Sequence, residues 1–195
     1  MAISLMIFLY SAGSAAAYRV QSIPLEGSHE LCGGIGFAAG VTDWTPGGFK
    51  WFNEYSLKLQ KMIWLNFQFN VTLGDMDHGH CWHDEKGRKH CEYDSWDGDA
   101  VEFAVGVKLK WDLPNLPMQV FSKFGGAFDI MLLADDYIGA AIGFRGGVGV
   151  RYFFFPTFGV GSEILTTFAP AIIEDHDVEF YAAVDVHIIG VEWRF

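Results

Sequence analysis

Polar and apolar residues alternate in single steps along most of this chain. The segment from Met62 to Leu73 shows it most cleanly: Leu65, Phe67, Phe69, Val71 and Leu73 oppose Asn66, Gln68, Asn70 and Thr72. A period of two belongs to a β-strand with two different faces, because successive side chains leave opposite sides of the pleat. Seven further segments share the pattern: Leu31 to Val41, Phe49 to Leu59, Ala100 to Trp111, Met118 to Leu132, Gly139 to Phe154, Phe158 to Phe168 and Val178 to Phe195. Short connections fall near Gln60-Lys61, Asp112 to Pro117 and Phe155-Pro156, where proline cannot continue a ladder. Longer or more acidic ones fall at Gly74 to Asp99, Ala134 to Tyr137 and Ala169 to Asp177. Short and long connections alternate, so the chain is expected to be all-β. The predicted fold is an eight-stranded antiparallel up-and-down barrel, with both ends on the short-turn side.

The contents of the two faces decide which one meets water. Charges share one parity with small residues: Glu102, Lys108, Lys110, Lys123, Asp129, Arg145, Arg151, Glu163, Glu179, Asp185 and His187 lie there beside Gly106, Gly147, Gly149 and Gly161. The other parity is rich in Phe, Trp, Val and Ile. Eight strands enclose an interior only wide enough for side chains, too narrow for that many large apolar groups. The apolar face is therefore expected to point outward into lipid and the charged face inward. Glycines there make room for long basic chains, and buried charges require partners. The interior is expected to be a plugged, ion-paired network without a wide pore. Trp111, Tyr152, Phe153, Phe154, Trp193 and Phe195 fall near the short-turn ends, where an aromatic girdle is expected at the water–lipid boundary.

The last segment breaks its own rhythm. The parity holding Asp185 and His187 continues into Ile189, Val191, Trp193 and Phe195. In strict register, either the polar pair faces lipid or the terminal aromatics face inward. A charge at mid-bilayer on a barrel's lipid face costs about 2–4 kcal/mol for Arg and Lys, and less for Asp and Glu. A β-bulge near Ile188-Ile189-Gly190 resets the faces and removes the conflict.

Composition supports a membrane barrel. The chain has 195 residues, of which 51% are hydrophobic and 16% aromatic, against only 19% charged. Past the N-terminal segment no uncharged apolar run reaches the roughly 18 residues of a membrane helix. Residues 1–17 carry an apolar core, Ile3 to Tyr10, and the small-residue site Ala15-Ala16-Ala17, the pattern of a cleaved secretory signal. Residues 18–30 then form a lead-in and residues 31–195 the barrel domain. The net charge of −11 argues against nucleic acid as a partner.

The loop from Asp75 to Asp99 carries the remaining chemistry. It holds Cys81 and Cys91, which export would allow to pair as a disulfide, leaving Cys32 over. It also holds His78, His80, His83 and His90 among carboxylates. Imidazoles suit Zn, Cu or Ni, so a divalent metal is an alternative reading of the loop, although the spacing matches no strong zinc pattern. Otherwise no cofactor is expected. A hydrolase would need a nucleophile, a base and an orienting acid at one place. His187 in the last strand, with Asp185 and Glu179 on its parity and Ser162 or Thr166 on the neighbouring strand, is the nearest approach to one. A polar interior network explains the same histidine more simply, and no enzyme activity is expected.

Gly146-Gly147-Val148-Gly149-Val150-Arg151-Tyr152-Phe153-Phe154 with its Pro156 turn, and the terminal Val191-Glu192-Trp193-Arg194-Phe195, resemble the small outer-membrane β-barrel family of the OmpA/OmpX type. The resemblance spans roughly Leu31 to Phe195 and implies a monomer in the bacterial outer membrane. It also implies contact with outer-membrane lipid, recognition of the terminal strand by the barrel-assembly machinery, and an extracellular ligand. Members of the family act as envelope scaffolds, adhesins, narrow porin-like channels or, rarely, lipid-modifying enzymes. A structural or surface-interacting role is expected here, with a narrow solute or ion channel as the alternative.

Overall fold

The computed structural model describes residues 27–42, 44–74, 80–83, 89–92, 98–133, 137–174 and 178–195. The segment read as a signal, residues 1–17, lies outside them. Eight strands close a barrel in the order β1-β10-β9-β8-β7-β6-β3-β2. They are β1 (His29–Gly40), β2 (Gly48–Lys58), β3 (Ile63–Leu73), β6 (Gly98–Asp112), β7 (Met118–Leu133), β8 (Ile138–Phe155), β9 (Phe158–Ile173) and β10 (Val178–Arg194). A separate hairpin, β4 (His80–His83) with β5 (Lys89–Glu92), rises from the connection between β3 and β6. Every neighbouring pair in the barrel is antiparallel. The seam joins the first and last strands, with Glu30 opposite Arg194 and mutual backbone bonds of 3.1 Å between His29 and Phe195. Connections 59–62, 113–117 and 156–157 lie at this seam end and 41–47, 74–97, 134–137 and 174–177 at the other; the second group is the more acidic but is not uniformly longer, since 134–137 and 174–177 have four residues each against five in 113–117.

The segment read as one polar loop, Gly74 to Asp99, contains the β4–β5 hairpin, and two strand boundaries also differ from the sequence reading. The first strand begins at His29 and not at Leu31, so Glu30 belongs to the barrel wall and not to the lead-in. The segment from Ala169 to Asp177, read as an acidic loop, is strand as far as Ile173. Ala169, Ala171 and Ile173 continue the inward parity of β9 and are buried, so the pattern persisted where the run of small residues disguised it.

The expected bulge is present. Ile35 pairs with Ile189 while the next residue, Gly36, pairs with His187, so β10 carries one extra residue. The same slip appears against β9, between His187 and Gly190. Ile188 and Ile189 are both outward, at 48% and 53% exposure, while Asp185, His187, Glu192 and Arg194 are all buried. One inserted residue thus keeps the charges inside and returns Trp193 and Phe195 to lipid.

The faces fall as predicted. Phe67, Phe103, Phe124, Phe144, Ile164 and Phe168 are exposed on the outer wall, and the charged parity is enclosed. An apolar surface of this extent facing out from a closed sheet is a membrane-spanning surface. Trp111, Tyr152, Phe154, Trp193 and Phe195 are exposed at the seam end, where the girdle was placed. Phe153 departs from that reading: it is 3% exposed and points inward, with the Arg194 guanidinium 3.8 Å from its ring centre.

Candidate functional site

The interior is the chemically richest part of the molecule. Seven carboxylates and seven fixed cations are buried in it: Glu30, Glu54, Glu102, Asp129, Glu163, Asp185 and Glu192 against Lys50, Lys108, Lys110, Lys123, Arg145, Arg151 and Arg194. Each comes from an inward position of a two-faced strand. Low dielectric makes an isolated charge prohibitive here, so the pairing is what permits burial.

The charges stack in three layers. Nearest the seam end, Arg194 holds Glu30 at 3.0 Å and Glu192 at 2.9 Å, and donates to Gln119 at 2.7 Å. Lys110 joins Glu30 and lies 3.7 Å from the ring centre of Trp64. In the middle, Lys108 is 2.8 Å from Glu54 and 3.5 Å from both Glu30 and Glu192. Lys123 bridges Glu54 and Glu163, the latter at 2.5 Å. Arg151 reaches Glu192 at 3.3 Å and Glu163 at 3.6 Å. Phe121, fully buried, offers its face to Lys108, Lys123 and Arg151 at 4.7, 5.1 and 4.7 Å. Toward the outer end, Asp185 takes Lys50 and Arg145, each at 2.7 Å, and Arg145 also pairs with Glu102.

Glycine makes these layers possible. A Cβ on Gly161 would lie 2.8 Å from the Arg151 side chain, and one on Gly149 would strike Phe121 and come within 2.7 Å of Glu163. The small residues on the charged parity are therefore the space that the long side chains occupy.

Above the charges the interior turns apolar. Met131, Leu133, Ile173 and Tyr181, with Ala100, Ala141, Ala169, Ala171 and Ala183, form a buried cluster at the loop end, and Trp44 and Tyr137 pack against it. The two aromatic rings meet edge to face, 6.4 Å apart. Hydrocarbon side chains fill the loop end of the described interior and ion-paired side chains the shaft below it.

Most of the residues assigned to the interior network from the sequence are brought together, with two departures. Glu179 shares the inward parity but lies half-buried near the loop end, and makes no ion pair with the described residues. Asp129 is buried directly opposite Glu102, yet its Oδ2 has no hydrogen-bond partner among the described residues. His187 bonds Glu163 through Nδ1 at 2.6 Å and stacks on Phe52 at 3.8 Å. Ser162 and Thr166, the neighbouring hydroxyls named beside it, lie on the opposite parity of β9, away from the imidazole. Cys32 is buried inside, its sulfur 3.3 Å from the Arg151 guanidinium.

Sequence reasoning missed Glu30, Lys50, Glu54, Glu192 and Arg194 as members of the network. Glu54, Glu192 and Arg194 were visible as polar positions in alternating strands. Lys50 stands at the start of the weakest pattern, next to Phe49 and Trp51.

In the hairpin, Cys81 stands opposite Cys91, Trp82 opposite His90, His83 opposite Lys89 and His80 opposite Glu92. Direct opposition is the register a cross-strand disulfide requires. His78 lies outside the described residues, as do the side chains of the hairpin histidines and cysteines.

No protein-family model and no curated protein sequence matches the chain. The fold does match solved structures. Neisserial surface protein A aligns with a TM-score of 0.66 at 10% identity, over 86% of this chain and 97% of that one. The N-terminal β-barrel domain of Pseudomonas aeruginosa OprF gives 0.50 at 12% identity, over 86% and 100%. Ail, the attachment invasion locus protein of Yersinia pestis, also gives 0.50 at 12% identity, over 87% and 99%. The chain is a closed eight-stranded barrel with the fold of the small bacterial outer-membrane proteins, the OmpA/OmpX-type architecture.

Proposed function

We propose that this protein is an outer-membrane scaffold whose work is done at its outer surface, not through its lumen. The partition of charge carries this reading. The chain has 13 Lys and Arg against 24 Asp and Glu. Seven of each cancel inside the barrel, so the entire net charge of −11 resides elsewhere. The loop-end connections hold most of it: residues 74–97 carry seven carboxylates against Lys86, Arg88 and Lys89, and Asp43, Asp135, Asp136, Glu174, Asp175 and Asp177 stand in the other connections at that end. A neutral, ion-paired interior under an apolar lid offers no solvated path, while the outer rim presents an anionic surface able to act at a distance on cationic partners. The surface roles suggested by the names of Neisserial surface protein A and the attachment invasion locus protein are consistent with this reading. The seam strand β10, with Phe195 exposed beside β1, is the segment the barrel-assembly machinery would read.

Trypsin added to intact cells tests the placement. Lys86, Arg88 and Lys89 are in the connection between β3 and β6, whereas Lys58 and Lys61 flank a seam-end turn. Cleavage is expected after the first group only, leaving the barrel resistant. Cutting at Lys58 or Lys61 on intact cells would reverse the orientation and sink the proposal.

A further inference from the structure

We infer that this barrel, against the monomer that its resemblance implies, self-associates in the membrane through the outer wall around Asn53. The lipid-facing positions are almost wholly apolar, with hydroxyls at Tyr55, Ser122, Tyr152, Ser162 and Thr166; Asn53 is the one carboxamide there among the described residues. It stands midway along β2, between Trp51 and Tyr55, far from either end of the strand. Its side chain makes no hydrogen bond with the described residues, whereas the lipid-facing Thr166 meets its need locally by donating to the Gly146 carbonyl at 3.3 Å.

The wall beside Asn53 is built low. Its cross-strand neighbour on β1 is Gly33, and a Cβ there would lie 3.2 Å from the Asn53 Oδ1. The amide lies across the notch that this glycine leaves. Larger side chains stand around it, including Leu31, Tyr55, Val191 and Trp193, and they belong to an apolar concavity that runs on over seven of the eight strands.

A carboxamide in hydrocarbon lacks partners on both its donor and acceptor sides, and acyl chains at this depth supply neither. A partner must therefore bring a complementary group to the same height in the membrane. A second copy of this chain does so by symmetry. All copies insert in one direction, so a two-fold axis along the membrane normal sets Asn53 against Asn53 at equal depth. The amide is self-complementary, donating through Nδ2 and accepting through Oδ1, so two copies close a pair of hydrogen bonds. Small residues that let backbones approach, together with a polar group as the bond, are the means by which membrane segments associate without a hydrophobic drive.

The test is association of the refolded full chain in lipid vesicles, read by energy transfer between labelled copies across a range of protein-to-lipid ratios. Wild type is expected to reach a dimer plateau. Asn53→Leu is expected to weaken association roughly 3- to 20-fold, the range for an intramembrane hydrogen bond. Gly33→Leu should weaken it similarly by filling the notch, while Ser122→Leu, on β7, should leave it unchanged. Heat-modifiable gel migration establishes that each variant is folded. A wild type that stays monomeric at every ratio overturns the inference. So does a dimer that Asn53→Leu and Gly33→Leu leave equally tight. Neither result bears on the trypsin outcome, which depends on orientation alone.

Discussion

Lys108 shows how much a single interior residue can hold. It is fully buried, touches Glu54, Glu30 and Glu192, and sits over the face of Phe121. Removing one partner of a buried ion pair costs about 3–5 kcal/mol, because the remaining charge is left uncompensated. Lys108→Met keeps much of the volume and removes the charge, so unfolding in urea from detergent micelles is expected to show a loss of that size. The double variant Lys108→Met with Glu54→Gln should recover part of it, since the nearest carboxylate is then neutral. No loss in the single variant would mean that water or ions already screen the interior. Lys108 was legible in the sequence because β6 alternates strictly. Phe52, Phe121 and Phe153 were not. A phenylalanine on the charged parity reads as a break in the pattern, whereas inside it serves as a partner for cations and for His187.

At the scale of the element, β10 carries the most information. Its bulge was legible because two sound rules conflicted: charges avoid lipid, and terminal aromatics prefer it. Strand ends were less legible. At the Ala169-Pro170-Ala171 end of β9 the small residues carry little hydrophobic contrast, although Ala169 and Ala171 are buried and Pro170 faces out. Deleting Ile188 removes the extra residue and restores strict register. Asp185, His187, Glu192 and Arg194 all keep inward positions in that variant, because Ile189 alone then stands outward between His187 and Gly190. The deletion is expected to retain the heat-modifiable folded band, as is Ile188→Val, which keeps the bulge. A deletion variant that fails to fold would show that the extra residue does more than reset the faces.

Over the whole molecule, the proposed closure rests on two unlike fillings in series along one axis. The charged shaft contains a complete set of counter-ions, and the mouth above it is packed with Met131, Leu133, Ile173 and Tyr181. Binary patterning revealed the shaft. It did not reveal the lid, because that requires the same inward parity to change from charged to apolar along a single strand: in β7 Lys123 and Asp129 give way to Met131 and Leu133. Seals in series have a simple consequence: opening one leaves the other closed. Met131→Ala with Leu133→Ala cuts a cavity in the lid but leaves every ion pair below it, so planar bilayers should show no stable channel. Replacing Arg151 and Lys108 by alanine thins the shaft beneath an intact lid and should also stay silent if the fold survives. Only the combined variant is expected to give resolvable openings. Large, stable openings in wild type would favour the narrow-channel reading. Openings from the lid variant alone would show that ion pairs do not obstruct permeation, and that the lid is the sole barrier.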